Sequence, residues 1–448
     1  MSLPPGVRQR CAGQDKEVGM NQGQISLQMI VRERVVWYGP SGRSLVGIFA
    51  LVGSMVWGAG CSHSQTYQPP FGVERSVEHL DPAARVLQHR VTISQSPAPE
   101  PGAENEEIPS LVDGLESAQN WWQIRRPQLL RYWKGILGKL EPNEQDQVWF
   151  GDICQVRVGA TTDLEAYTRT ELFLPIEKDF FQPHLLLIPK GQGEGPFPAV
   201  IAWSSTSPDY REPEQWWGSW LASRGYVVLT GWSFIRNYRD GTDYSSGAHE
   251  KVYQRFGHWL AMGKMVHDVK REVEFLRCRP EVDPTRVGFI GKSLSAKAAL
   301  YVAAFAADIA VTVSIDPHIA VNGGTNWFAA WYLDWLHEFE DIPTQSKTPL
   351  SLFNPDPVRP GFEHDHHEVL ALAAPRPLLV IGGSQLEDAG GDSDDLQSWG
   401  YVNRAKEVYR LVGAGERLEY VPTDDGHNSN GPHITPAWQS WFERWLKP

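Results

Sequence analysis

A chain of 448 residues, with 41% hydrophobic and 11% aromatic side chains, carries ample apolar material for a large packed core, in one domain or two. Its formal net charge of -13, without a long basic run, excludes nucleic acid as a partner, because phosphate binding needs clustered Lys and Arg. Small molecules and neutral polymers remain, and the 19 Trp suit either a large core or stacking on sugar faces.

Residues 1–61 read as an N-terminal extension. Arg32, Arg34 and Arg43 precede and border an apolar, small-residue run at 45–57, followed by Gly58, Ala59, Gly60 and Cys61. The pattern resembles a bacterial lipoprotein signal peptide in which Cys61 receives lipid after cleavage, with Met29 as a start that gives it normal length. The run is shorter than the roughly 20 residues that a membrane-spanning helix requires. The expectation is an exported protein, periplasmic or at the outer membrane or cell surface, that meets the membrane only through an N-terminal lipid anchor. Residues 62–114, rich in Pro, Ser, Gln and Glu and lacking apolar periodicity, read as a disordered linker. Cys11, Cys61, Cys154 and Cys278 contain no CxxC pair, so neither a zinc site nor a dense disulfide framework is indicated; whether Cys154 and Cys278 pair stays open.

A folded domain is expected over 115–448. Trp121, Trp122, Leu129, Leu130, Trp133, Ile136 and Leu137 recur at helical spacing. Beyond them, short apolar runs at 184–188, 199–202, 226–230, 287–290, 311–315, 377–381 and 418–421 alternate with helical segments at 213–223, 257–277, 296–307, 399–412 and 435–445. That alternation predicts an α/β architecture with a mostly parallel central sheet flanked by helices. The long stretch 317–374 reads as a cap insertion.

The chemistry concentrates at one turn. The buried strand Val287, Gly288, Phe289, Ile290 runs into Gly291-Lys292-Ser293-Leu294-Ser295 and then directly into an Ala-rich helix. A nucleophile held at such a strand-turn-helix corner needs small residues two before and two after it, and Gly291 and Ser295 qualify. Ser293 is the candidate nucleophile, at a helix N-terminus whose N–H groups can face an oxyanion. A serine that merely caps a helix is the plain alternative. Ser295 is the rival nucleophile, but Lys297 would be too large a flanking residue for it.

His427, in the loop after the last strand, is the candidate base, ahead of His433. The orienting acid is either Asp316, at the end of the 311–315 strand, or Asp388, in the acidic loop after 377–381 where Glu387 and Asp392 can substitute. Asp392, Asp394 and Asp395 form a solvated acidic cluster without EF-hand spacing. His364, Asp365, His366, His367 and Glu368 suggest a metal cluster at first sight. They begin a helix, where Asp caps and consecutive His cannot share one face, so no metal is assigned.

At these residues the chain resembles the α/β-hydrolase superfamily, specifically its dienelactone-hydrolase-like and carbohydrate esterase group, which includes acetyl xylan esterases and glucuronoyl esterases. The segments that carry the likeness are 279–283, 302–305 and, most distinctively, 365–378. In glucuronoyl esterases the elbow resembles G-x-S-R-x-G-K followed by an acid after the next strand, and Ser293, Lys297 and Asp316 match by position. The resemblance implies that Lys297 contacts sugar hydroxyls. Leu294 stands where that family carries an Arg, and Ser295 and Ala296 replace its small-residue and Gly pattern. Trp203-Ser204-Ser205-Thr206-Ser207 occupies the usual oxyanion-loop position, where backbone N–H groups near Trp203 would act with that of Leu294. Trp327, Trp331, Tyr332, Trp335 and His337 lie in the cap, as cap core or as a sugar platform.

The expected activity is cofactor-free serine esterase chemistry on a small-molecule or plant polysaccharide ester, acetyl or glucuronoyl, by a monomer. A prolyl-oligopeptidase-like peptidase would need a propeller repeat, and none is recognisable in the N-terminal third. A catalytically inactive, glycan-binding hydrolase fold is the remaining reading.

Overall fold

The computed structural model describes residues 108–138, 150, 152–177, 180–206, 209–234, 256, 259–319, 364–382 and 396–447. Its strands are β1 (Arg157–Asp163), β2 (Tyr167–Glu177), β3 (Phe180–Pro189), β4 (Phe197–Trp203), β5 (Val227–Gly231), β6 (Val282–Lys292), β7 (Val311–Ile315), β8 (Leu378–Gly382) and β9 (Leu418–Pro422). They form one sheet in the order β1-β2-β3-β5-β4-β6-β7-β8-β9. From β5 through β4 to β9 every pairing is parallel. β1, β2 and β3 join at one edge by antiparallel pairings.

The parallel strands explain their own sequences. A strand covered on both faces must be apolar at every position rather than at alternate ones, and β5, β7 and β8 are buried throughout. The antiparallel edge lacks that signature. β1 is almost wholly exposed and β2 opens on the polar Thr168-Arg169-Thr170-Glu171, so neither strand stands out as an apolar run. Both are additions to the strands expected from sequence.

Helices cover both faces. α1 (Arg126–Leu137), α2 (Ser219–Ser223), α3 (Ala261–Arg277), α4 (Leu294–Phe305), α5 (His366–Leu372), α6 (Leu396–Leu411) and α7 (Ile434–Leu446) follow in chain order. α1, α3, α4, α5 and α6 pack into one apolar layer with Leu172, Ile201 and Phe289 of the sheet. α2 and α7 pack into the other, against Val228, Val313 and Ile381. Each fully buried aliphatic or aromatic side chain in these layers contributes roughly 1.5–3 kcal/mol of transfer free energy.

Ile108 and Leu111, in the segment that composition marks as linker, are buried in the first layer. Residues 1–107 of the expected extension and linker, and residues 320–363 of the insertion expected over 317–374, lie outside the described residues, whereas α5 at the end of that stretch packs into the first layer. Cys154 and Cys278 form a disulfide that ties the approach to β1 to the end of α3.

Candidate active site

The central strand β6 and the helix α4 meet at Ser293. Its backbone has φ 60° and ψ -116°, a conformation that a non-glycine residue adopts only when its surroundings enforce it. The enforcement is visible. The Ser293 N–H donates to the Ile315 carbonyl of β7 at 2.9 Å, and the Ser293 carbonyl accepts from the Lys297 N–H at 2.9 Å as α4 begins. Gly291 lies so close to Ser295 that a Cβ there would stand 2.8 Å from the Ser295 Cβ. Small residues at 291 and 295 are therefore a packing requirement of the turn.

Ser295 is not a rival nucleophile. It is fully buried, and its hydroxyl donates to the Ser204 carbonyl. Leu294 is 1% exposed and its side chain joins the apolar layer, so it brings no charge to the site; its N–H lies in the first turn of α4, where helices leave such groups without an intrahelical acceptor.

The acid and the base arrive from strand ends. β7 stops at Ile315, and Asp316, also at φ 60°, donates its N–H to the Ile381 carbonyl of β8 at 2.7 Å. His427 follows β9 and its Nδ1–H donates to Oδ2 of Asp316. Asp316 is buried, whereas the imidazole is partly open to solvent. The bond holds the tautomer that leaves Nε2 unprotonated, the form a general base needs. Of the two acids that the sequence leaves open, Asp316 is the one placed against the histidine. Asp388, Glu387 and Asp392 lie outside the described residues.

The His427 loop is clamped at several points. Thr423 N–H donates to the Gly382 carbonyl at 2.8 Å, Trp217 Nε1 donates to the Ser429 carbonyl at 3.1 Å, and Asn430 Nδ2 donates to the Trp216 carbonyl at 2.8 Å. His433 does not compete for the role of base. Its ring faces Asp424 and Asp425 at 3.2 and 3.0 Å, while Asp425 caps α7 by accepting from the His433 and Ile434 N–H groups.

The loop after β4 lies beside the elbow, since Trp203 is in register with Gly291 on one side and Gly231 on the other. Ser204 N–H donates to the Gly231 carbonyl at 2.9 Å and so is committed. The Trp203 indole points into the core, donating from Nε1 to both carboxyl oxygens of Glu272 at 3.0 and 2.8 Å.

Lys297 is 4% exposed and its ammonium donates to the Pro317 carbonyl at 2.6 Å, bracing the chain just beyond Asp316. Trp327, Trp331, Tyr332, Trp335 and His337 lie outside the described residues. The His364 to Glu368 stretch is a packed structural cluster: His364 Nδ1 meets Glu368 at 3.0 Å, Trp133 Nε1 donates to Glu368 at 2.8 Å, and His366 Nδ1 donates to the Ile319 carbonyl at 2.8 Å. Asp365 caps α5, as its position before the helix predicts.

One feature escapes the sequence reading. Lys264, Asp268 and Glu272 recur every four residues along α3, all fully buried, with Lys264 Nζ 2.9 Å from Glu177 and Glu272 under Trp203. That polar stripe at helical spacing is its only sequence signal.

Known proteins resemble this chain in sequence and fold. The family profile described as glucuronyl esterase, fungi, matches residues 181–413, just over half of the chain. The 4-O-methyl-glucuronoyl methylesterase of Hypocrea jecorina is 26% identical over 243 residues, 51% of this chain and 47% of that protein. The 4-O-methyl-glucuronoyl methylesterase 1 of Wolfiporia cocos is 26% identical over 198 residues, 42% of this chain and 46% of its own length. The chain thus spans about half the length of the curated relatives it matches. A solved glucuronoyl esterase from Solibacter usitatus aligns with a TM-score of 0.53 at 18% identity, over 72% of this chain and 93% of that one. The fold is the α/β-hydrolase fold, as the sequence resemblance implies.

Proposed function

The chain belongs to the glucuronyl esterase family, and from that premise we propose that it is a serine esterase cleaving a glucuronoyl or acetyl ester on plant polysaccharide. The observation that carries this reading is the His427–Asp316 pair, whose acid ends β7, the neighbour in the sheet of the strand β6 that runs into the strained Ser293 elbow. His427 Nε2 takes the Ser293 proton as Oγ attacks the ester carbonyl, and buried Asp316 stabilises the imidazolium that forms. The oxyanion is held by the Leu294 N–H and an N–H of the loop after Trp203. Collapse passes the His427 proton to the leaving alcohol, and water, deprotonated by His427, then releases the carboxylic acid from Ser293. No step calls on a cofactor.

The names of the relatives favour the uronate ester, and Lys297, which braces Pro317 beside Asp316, would contact a sugar hydroxyl. Trp327 and Trp331 would line the substrate from the cap. The test is hydrolysis of a methyl glucuronate ester beside p-nitrophenyl acetate. Turnover that disappears in Ser293→Ala supports the reading, and a wild-type protein inert toward both, yet able to bind xylan, sinks it in favour of a glycan-binding role.

The same reading places the protein outside the cytoplasm as a monomer tethered by lipid on Cys61. The Cys154–Cys278 disulfide supports an oxidising compartment. Palmitate incorporation in the bacterial host that is lost in Cys61→Ala tests the anchor, and its absence from the wild type rejects it.

A further inference from the structure

We infer that Glu272, far from the elbow in sequence, is a positioning residue for the oxyanion loop, holding residues 203–205 beside Ser293 through the indole of Trp203. Trp203 is the last residue of β4 and aligns with Gly291, two residues before the nucleophile. Its Nε1–H is shared by both Glu272 oxygens at 3.0 and 2.8 Å, and both side chains are fully buried.

The indole has no second place to go. A Cβ on Gly231 would lie 3.0 Å from Trp203 Nε1 and 3.1 Å from the His184 ring. His184 is itself held, its Nδ1–H donating to the Thr230 carbonyl at 2.7 Å. The next residue is pinned by its backbone, Ser204 N–H to Gly231 and the Ser204 carbonyl to the Ser295 hydroxyl. The loop therefore hangs from Gly231 at the end of β5, Ser295 in the first turn of α4 and Glu272, and Glu272 is the anchor supplied by a helix other than the nucleophile's own, α3. Removing it leaves a buried indole N–H without an acceptor, which the loop can relieve only by shifting.

Burial pushes the Glu272 carboxyl well above the usual carboxylate range. Glutamine has the same shape and keeps a carbonyl acceptor for the indole. Leucine has the size and no acceptor.

The first arm of the test does not depend on the esterase reading. In the full chain, hydrogen exchange over residues 203–206 is expected to rise about tenfold or more in Glu272→Leu, with α4 unchanged and Glu272→Gln matching wild type. Trp203→Phe, which keeps an aromatic side chain but removes the indole N–H donor, should reproduce the local rise if the leucine variant does not fold. Exchange over 203–206 that is unchanged in the folded variants overturns the proposal.

The second arm rests on the esterase reading and uses the methyl glucuronate ester. Glu272→Leu should lower kcat by about ten- to a hundredfold, less than loss of an oxyanion donor itself, with KM within about twofold and glutamine restoring most of the rate. Equal losses in the leucine and glutamine variants, or a loss carried by KM, also overturn it. A wild-type protein without turnover strikes the esterase reading instead, and the exchange arm then decides on Glu272.

Discussion

His427 Nδ1 donates its proton to Oδ2 of Asp316, a residue 111 positions earlier in the chain. The two groups come from the ends of β9 and β7, which flank β8 in the sheet, so the pairing is made by strand order and not by local sequence. The bond sets Asp316, one of the acids that the sequence leaves open, against the imidazole.

Asp316→Asn should therefore cost on the order of 10⁴-fold in kcat, because an amide at that position favours the wrong imidazole tautomer. Asp388→Asn should stay within a few-fold of wild type. Parallel kinetics on a uronate ester check this, and comparable losses in the two variants would mean that the site shares its acid function.

At the elbow, a fluorophosphonate should label Ser293 and leave Ser295 unmodified, since the Ser295 hydroxyl is buried on the Ser204 carbonyl. Peptide mapping reads the outcome directly. Gly291→Ala should abolish labelling, because its methyl group would collide with Ser295. Normal labelling of that variant would show the turn to be looser than its geometry requires.

The cross-link between Cys154 and Cys278 closes a loop with a sequence separation of 124. Replacing both by serine should destabilise the fold by about 2–5 kcal/mol. Thermal unfolding of the double variant and of reduced wild type should show the same fall in Tm, and a variant as stable as the oxidised protein would refute a structural role for the bond.

Asp365 yields a prediction about pH. Burial pushes its carboxyl up to about 7 from the ordinary 3.8, although it accepts from the His366 N–H and the Tyr401 hydroxyl. With the folded-state value raised, the native protein holds the extra proton. The stability this contributes is full below about pH 4 and is lost as pH rises through 7. Asp365→Asn cannot ionise, so the Tm of wild type relative to this variant should fall steadily from pH 4 to pH 8. A constant difference across that range would show that Asp365 titrates normally.

Much of the centre of this protein is legible in order of residues. The inner strands β5, β7 and β8 announce themselves because a strand covered on both faces must be continuously apolar, and the helices around them follow from apolar spacing. The elbow is legible for a local reason: the close approach of strand and helix allows only small residues at 291 and 295, so the pattern around Ser293 is itself the packing constraint. The hairpin of β1 and β2 was not legible, since one of its strands is solvent-exposed and carries little apolar periodicity.

What sequence alone determined was the fold class, the tight turn around Ser293 and the strand-end loop that holds His427. Only tertiary structure chose Asp316 for His427, set His433 aside on Asp425, and buried Glu272 beneath Trp203. Those choices depend on which strand ends and helix faces become neighbours. Hydrogen bonds between residues far apart in the chain leave no period in the sequence, whereas burial of a strand or the tightness of a turn writes itself into adjacent residues.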